Sequence, residues 1–215
     1  MPALEPITFF HAPQSRSSGA LTLLEELRAP YELRVLNMKA GEQRQSAYLA
    51  INPLGKVPAI QHRGALVTEQ IAIFIYLADL FPEAGLAPAI EDAQRGPYLR
   101  WLVYYAASFE PALVDRSMKR EPAAQAMSPY GTFDSMLGTL TDRLAASPYL
   151  LGERLSAADI LWGGALRWTT MFGLVPELPV IKDYVQRVTA RPSFAKVTSM
   201  DAQLATEHEA ALRPA

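Results

Sequence analysis

The stretch Asn52-Pro53-Leu54-Gly55-Lys56-Val57-Pro58-Ala59-Ile60, followed by Thr68-Glu69-Gln70, decides how the rest of the chain is read. It spells a turn, a Val-Pro bond entering a short strand, a turn at Arg63-Gly64, a second strand, and an acidic residue opening a helix. A Val-Pro bond is cis at a cost of only about 0.5–1 kcal/mol, against about 2.5–4 kcal/mol before other residues. In the cis form it would aim the N–H and C=O of Val57 outward, where an extended peptide can pair with them like an added strand. Taken singly, the pieces are a loop, a strand and a helix cap.

Upstream, Ile7 to His11 reads as a short buried strand ended by Pro13. Helix one is expected from Ser17 to Arg28, with Leu21, Leu24 and Leu27 at helical spacing. Tyr31 to Leu36 alternates as a second strand. Gly41 to Leu49 is polar and predicts a short exposed helix, and Ala59–Gln61 with Ala65–Val67 predicts an antiparallel hairpin. A helix with Ile71, Ile75 and Leu77-Ala78 on its buried side ends near Phe81-Pro82. The resulting order, β-α-β-α-β-β-α, places a helix between parallel strands one and two, as a right-handed crossover requires.

Glu83 to Glu91 lacks periodicity and reads as a linker. Only helices are expected beyond it: Gly96 to Lys119, Tyr130 to Ala146, Ile160 to Phe172, Pro179 to Ala190, and Ser193 to about Glu209. Ser156-Ala157-Ala158-Asp159 opens the third as a capping box with Asp in place of Glu.

The N-P-x-G-K-V-P … E-[SQ] arrangement, and the L-x-G pattern at Tyr149 to Glu153 followed by S-x-x-D, resemble the cytosolic glutathione transferase superfamily over nearly the whole chain. The resemblance implies an α/β thioredoxin-like domain (βαβαββα, mixed sheet) over residues 1–82, a linker over 83–91, and an all-α domain over 92–215. It also implies a homodimer, for which the sequence offers Tyr76, Leu80 and Phe81 as contact candidates.

Bulk properties narrow the function. The 215 residues are 50% hydrophobic and 20% charged, which fits a globular protein. A formal net charge of −2 supplies no basic footprint for nucleic acid or an anionic membrane. No apolar run approaches the roughly 20 residues that span a bilayer. The opening residues, Met1 to Pro6, lack a signal-peptide layout, so a cytoplasmic protein is expected. The cysteine count of zero excludes disulfides and every Cys nucleophile. His11, His62 and His208 lie far apart without ligand spacing, so no metal site is expected and each reads as a surface or edge residue.

On the resemblance, glutathione is the co-substrate and small hydrophobic electrophiles are its targets. Its γ-glutamyl carboxylate would sit at the helix start opened by Glu69 and Gln70, where free N–H groups and the dipole favour an anion. Val57, before Pro58, would pair with the cysteinyl backbone, and Lys56 would reach the glycyl carboxylate, with Lys39 a second candidate cation. The thiolate activator belongs between strand one and helix one. There Ser15 matches the serine of delta- and theta-like enzymes best by its distance from Pro13, Ser17 is second, and Ser18 reads as a helix-start residue. A free thiol of pKa about 8.5 is only about 3% ionised at pH 7, and lowering it to about 6.5 needs about 2.7 kcal/mol of anion stabilisation. Tyr105 and Phe109, on the first helix of the second domain, are candidates for the electrophile pocket. Peroxidase, isomerase or dehalogenase chemistry, or a non-catalytic binding or regulatory role, are the alternatives.

Overall fold

A computed structural model describes residues 5–120 and 123–212; Met1 to Leu4, part of the stretch read above for a leader, lie outside them. By packing, the chain forms two compact units. The first runs to Ala84 and resumes at Arg191, and the second spans Gly85–Ala190. The linear reading assigns everything beyond residue 92 to the second domain, whereas packing returns the last helix to the first.

In the first unit, strand β1 (Ile7–His11), helix α1 (Ser17–Leu27) and strand β2 (Tyr31–Val35) come first. A 3-10 turn (Glu42–Arg44) and helix α2 (Ser46–Leu49) follow, then β3 (Ala59–His62), β4 (Ala65–Val67) and helix α3 (Gln70–Leu80). The sheet order is β2-β1-β3-β4, with β1 and β2 parallel and both β3 and β4 antiparallel to their neighbours. The β3–β4 turn takes positive φ at both Arg63 and Gly64, the backbone that a two-residue hairpin needs.

Side chains alternate along a strand, so Ile7, Phe9 and His11 share one face of β1 while Phe10 takes the other. The buried Ile7, Phe9, Leu21, Leu24, Ile73 and Phe74 belong to this unit's core. Phe10 packs with Tyr48 and Ala59, and Val57 lies against that cluster. The polar segment before Tyr48 is more broken than expected, a 3-10 turn and one short α-turn in place of one helix. Helix α9 (Pro192–Ala210) packs on α1. It is tied there by Arg191, whose guanidinium makes 2.8 and 2.6 Å bonds to Glu26, and by Lys196, 2.7 Å from Glu25.

The second unit is helical: α4 (Arg95–Tyr104), α5 (Glu110–Ser117), α6 (Phe133–Ala146), α7 (Ala157–Met171) and α8 (Pro179–Thr189). The expected long helix is interrupted by a π-turn over Tyr105–Phe109 between α4 and α5. Trp162 is fully buried, donates its ring N–H to Trp101 O at 2.9 Å, and carries the rings of Trp101, Tyr105 and Phe109 around it. Helices α7 and α8 approach so closely that a Cβ at Gly163 would meet Val188 at 2.5 Å.

Candidate active site

The loop joining β1 to α1 carries the serines, and its bonds sort them. Ser15 is half-buried; its Oγ lies 2.8 Å from Ala12 O and 2.7 Å from Ser17 Oγ, and it accepts the Ser17 N–H at 3.2 Å. Ser17 is fully buried. Its Oγ accepts the Ala12 N–H at 3.1 Å and lies 2.9 Å from His11 Nδ1, so it closes the loop on itself and does not cap α1. The hydroxyl left within reach of a ligand is therefore that of Ser15.

Behind Ser17 stands a pair that the sequence reading misses. His11, expected at an edge, is completely buried, and its Nε2 lies 3.0 Å from Asp201 Oδ1 on α9. The other oxygen, Oδ2, accepts the Gln14 N–H at 3.0 Å and the Ser18 hydroxyl at 2.5 Å. Burial works to raise the Asp201 pKa, but the bonds from His11, Ser18 and Gln14 outweigh it and hold the carboxyl below its usual range. The parity of β1, which sets His11 on the face of Ile7 and Phe9, is a signal for its burial; nothing in the sequence points to Asp201.

The loop before β3 is rigidly made. Tyr48 OH and Asn52 Nδ2 both donate to Lys56 O, at 2.7 and 2.9 Å, while Asn52 Oδ1 accepts the Leu54 N–H at 3.2 Å. Gly55 has φ +58, and a Cβ there would lie 2.5 Å from Gln43 O, so no other residue fits. The Val57-Pro58 bond is cis. The ladder of β3 on β1 ends where Ala59, directly after that bond, pairs with Phe10. Among the described residues, no group bonds to the Val57 N–H or C=O. The Lys56 side chain is exposed.

Glu69 stands at the N-cap of α3 with φ 62 and ψ 114, a backbone conformation rare for a residue with a Cβ. It is exposed and leaves the first N–H groups of α3 uncapped by a side chain. The Gln70 Nε2 donates to Arg16 O at 3.0 Å, so the amide ties α3 to the serine loop. Gly19 lets it approach, because a Cβ there would lie 3.2 Å from that nitrogen.

The remaining candidates fall elsewhere. Lys39 is paired with Glu209 of α9 at 2.6 Å, both side chains exposed. Tyr105 and Phe109 are buried against Trp162, and the Tyr105 hydroxyl donates to Glu110, so both serve as core of the second unit as placed. Phe81 is buried too, and the Tyr76 hydroxyl lies 2.7 Å from Nδ1 of His62, which is itself buried rather than at an edge.

Residues 5–79 match the glutathione S-transferase N-terminal domain and residues 104–192 the C-terminal domain. A GST-like protein of Streptococcus mutans serotype c, itself uncharacterized, is 30% identical over 204 residues, covering 83% of this chain and 76% of its own length. The chain belongs to the glutathione S-transferase family. Its four-stranded mixed sheet followed by helices is that family's fold. The disulfide-bond oxidoreductase YfcG of Escherichia coli (strain K12) is 29% identical over 215 residues, covering 94% of this chain and 98% of its own. A sphingomonad glutathione S-transferase, solved in complex with glutathione, superposes with a TM-score of 0.76 at 27% identity, covering 91% of this chain and 98% of that one. Among the described residues, no helix is long and apolar enough to cross a membrane.

Proposed function

We propose that this family member binds glutathione and activates its thiol for attack on small hydrophobic electrophiles. The observation that carries the reading is the unpaired backbone of Val57, two residues before Ala59, which pairs with β1 just ahead of the loop that holds Ser15. An extended tripeptide bonded to Val57 through its cysteinyl unit would bring the sulfur to that loop. The γ-glutamyl end then falls to the start of α3, where unpaired N–H groups meet its carboxylate and Glu69 accepts from its amino group. Lys56 is the cation for the glycyl carboxylate; Lys39 is already engaged by Glu209. Ser15 donates to the thiolate, a charge-assisted bond worth about 1.5–3 kcal/mol.

The same thiolate would attack a disulfide, the reaction class in the name of the E. coli relative. With no cysteine in this chain, bound glutathione would supply the reacting thiol in that case as well.

Calorimetric titration with glutathione, paired with turnover of a chlorodinitrobenzene, tests the reading. Glu69→Ala should raise the glutathione Kd about 10- to 150-fold, the range for a lost bond between charged groups. An unchanged Kd would reduce Glu69 to a complement of the helix dipole. Binding without turnover of any electrophile would leave a non-catalytic module, and no binding at all rejects the proposal.

A further inference from the structure

Four side chains form an unbroken line of hydrogen bonds from the half-buried loop into the interior. Ser15 Oγ to Ser17 Oγ is 2.7 Å, Ser17 Oγ to His11 Nδ1 is 2.9 Å, and His11 Nε2 to Asp201 Oδ1 is 3.0 Å. Loop closure alone explains the Ala12 bonds of Ser17, but it does not need a buried imidazole backed by a carboxylate.

Counting protons gives the line a direction. Asp201 accepts on both oxygens, so His11 Nε2 carries a proton, and in the neutral form of the ring Nδ1 holds a lone pair. Ser17 has one proton and two lone pairs. The Ala12 N–H takes one lone pair, Nδ1 can take the proton, and the second lone pair then accepts from Ser15. Ser15, accepting the Ser17 N–H, keeps one lone pair for an incoming donor. Ala12 O is the competing acceptor for both hydroxyls, at 2.8 and 3.0 Å.

We infer that Ser15, Ser17 and His11 form a proton relay, in which the thiol proton of bound glutathione is taken up at His11 and Asp201 is the positioning residue that holds the ring. The inference rests on the glutathione reading above. The S–H bond breaks and its electron pair stays on sulfur as the thiolate. The thiol proton passes to Ser15 Oγ, the former Ser15 proton to Ser17 Oγ, and the former Ser17 proton to Nδ1. Both hydroxyls are restored, Ser15 donates to the thiolate, and the charge pair is thiolate and imidazolium. The groups around the ring suit a cation: the Asp201 carboxylate from α9, the neutral Ser17 hydroxyl from α1, a stacked Phe9, and the apolar Val35 opposite on β2. This is the logic by which a buried carboxylate stabilises an imidazolium in hydrolases, here reached through two hydroxyls.

The test is nuclear magnetic resonance of histidine-labelled protein at pH 7, with the His11 signal assigned through His11→Gln. On adding glutathione, the His11 ring should become an imidazolium as thiolate absorbance appears, and calorimetry in buffers of different ionisation heat should show no proton release. S-methylglutathione, which has no thiol proton, should leave the ring neutral. A thiolate formed over a neutral ring, with about one proton released per site, overturns the relay and leaves glutathione binding standing. So does a ring already charged in the free protein. Absence of both binding heat and thiolate rejects the underlying reading, and the relay with it.

Two variants separate relay from scaffold. In His11→Gln the amide can still donate to Asp201 but accepts no proton; in Ser17→Ala the His11–Asp201 contact survives, and the relay is cut together with the loop-closing bond from Ala12 N–H. Each should lose about 10- to 100-fold of kcat at pH 7, corresponding to one to two pK units on the thiol, with the loss shrinking toward pH 9 and KM little changed. A purely structural role would lower the melting temperature and leave the pH profile in place, and that result overturns the proposal even where His11→Gln fails to fold.

Discussion

Two buried aspartates, one in each unit, look alike on paper and behave in opposite ways. Asp159 is fully buried and accepts four bonds: Leu150 N–H at 2.8 Å and Tyr184 OH at 2.9 Å on one oxygen, Ser156 N–H and hydroxyl, both at 2.8 Å, on the other. Asp201, 8% exposed, accepts from His11, Gln14 and Ser18. Burial pushes the Asp159 pKa up despite its bonds, whereas the bonds of Asp201 prevail over burial and hold it down. The number of bonds does not decide the sign. Depth of burial does, together with whether one partner can carry positive charge. Asp159, bonded only to neutral donors, staples the start of α7 to α8 and the preceding turn. Asp201, facing an imidazole, is built to stay ionised beside a site.

The largest effect should come from breaking the staple. Asp159→Ala leaves four donors without their acceptor in the second unit, and stability should fall by roughly 3–5 kcal/mol in denaturant unfolding. The folded fraction should still bind glutathione with unchanged Kd. A loss under about 1 kcal/mol would mean that water replaces the carboxylate, and the contrast between the two aspartates would be one of position only.

Next comes the reacting end of the other node. Ser15→Ala should raise the pKa of the bound thiol, lowering turnover about 10- to 100-fold at pH 7, for one to two pK units of lost stabilisation. Glutathione affinity should stay nearly intact, because the backbone holds proposed at Val57 and α3 remain. A thiol pKa unmoved by this change would place the activation in the backbone amides of the loop.

Much of this was legible from local pattern. The β-α-β-α-β-β-α order follows from periodicity, the Asn52–Pro58 loop from its turn residues, and the capping half of the Asp159 staple from S-x-x-D, since its bonds to Ser156 lie three positions apart; the bond from Tyr184, 25 positions on, has no such local sign. The Asp201 node has no such signature. His11 and Asp201 are 190 positions apart, and on α9 Asp201 is one polar residue among many. Their meeting depends on the chain returning to its first unit at Arg191, a matter of packing rather than propensity. The π-turn at Tyr105–Phe109 carries a sign that the linear reading passes over: Pro111, just past it in α5, has no N–H to bond back to Ala107, and the turn forms where rings settle around Trp162. The same settling buries Tyr105 and Phe109, the two aromatics that the family resemblance offered to a pocket.

The smallest effect, and the most direct reading of the contrast, is in acid. Asp201 is held low, and so is Glu26, where burial is outweighed by the hydrogen bonds and charge of Arg191 and the bond from Ser193. Both bind protons less readily folded than unfolded, so their stabilisation is present above the unfolded value of about 4 and is lost as pH falls through the depressed folded values. Asp159 runs the other way. With its folded pKa raised, its contribution is full below the unfolded value and is lost as pH rises through the raised one, so acidification from neutrality restores it. Hydrogen exchange corrected for intrinsic rates should therefore show α7 gaining protection between neutral pH and about pH 4. Below that, α9 should lose protection ahead of α7, because both lowered carboxylates anchor it. Asp159→Asn, which cannot titrate, should abolish the gain in α7 and leave the loss in α9 unchanged. If the two helices lose protection together in the native protein, the aspartates do not act with opposite sign and the contrast drawn between them is wrong.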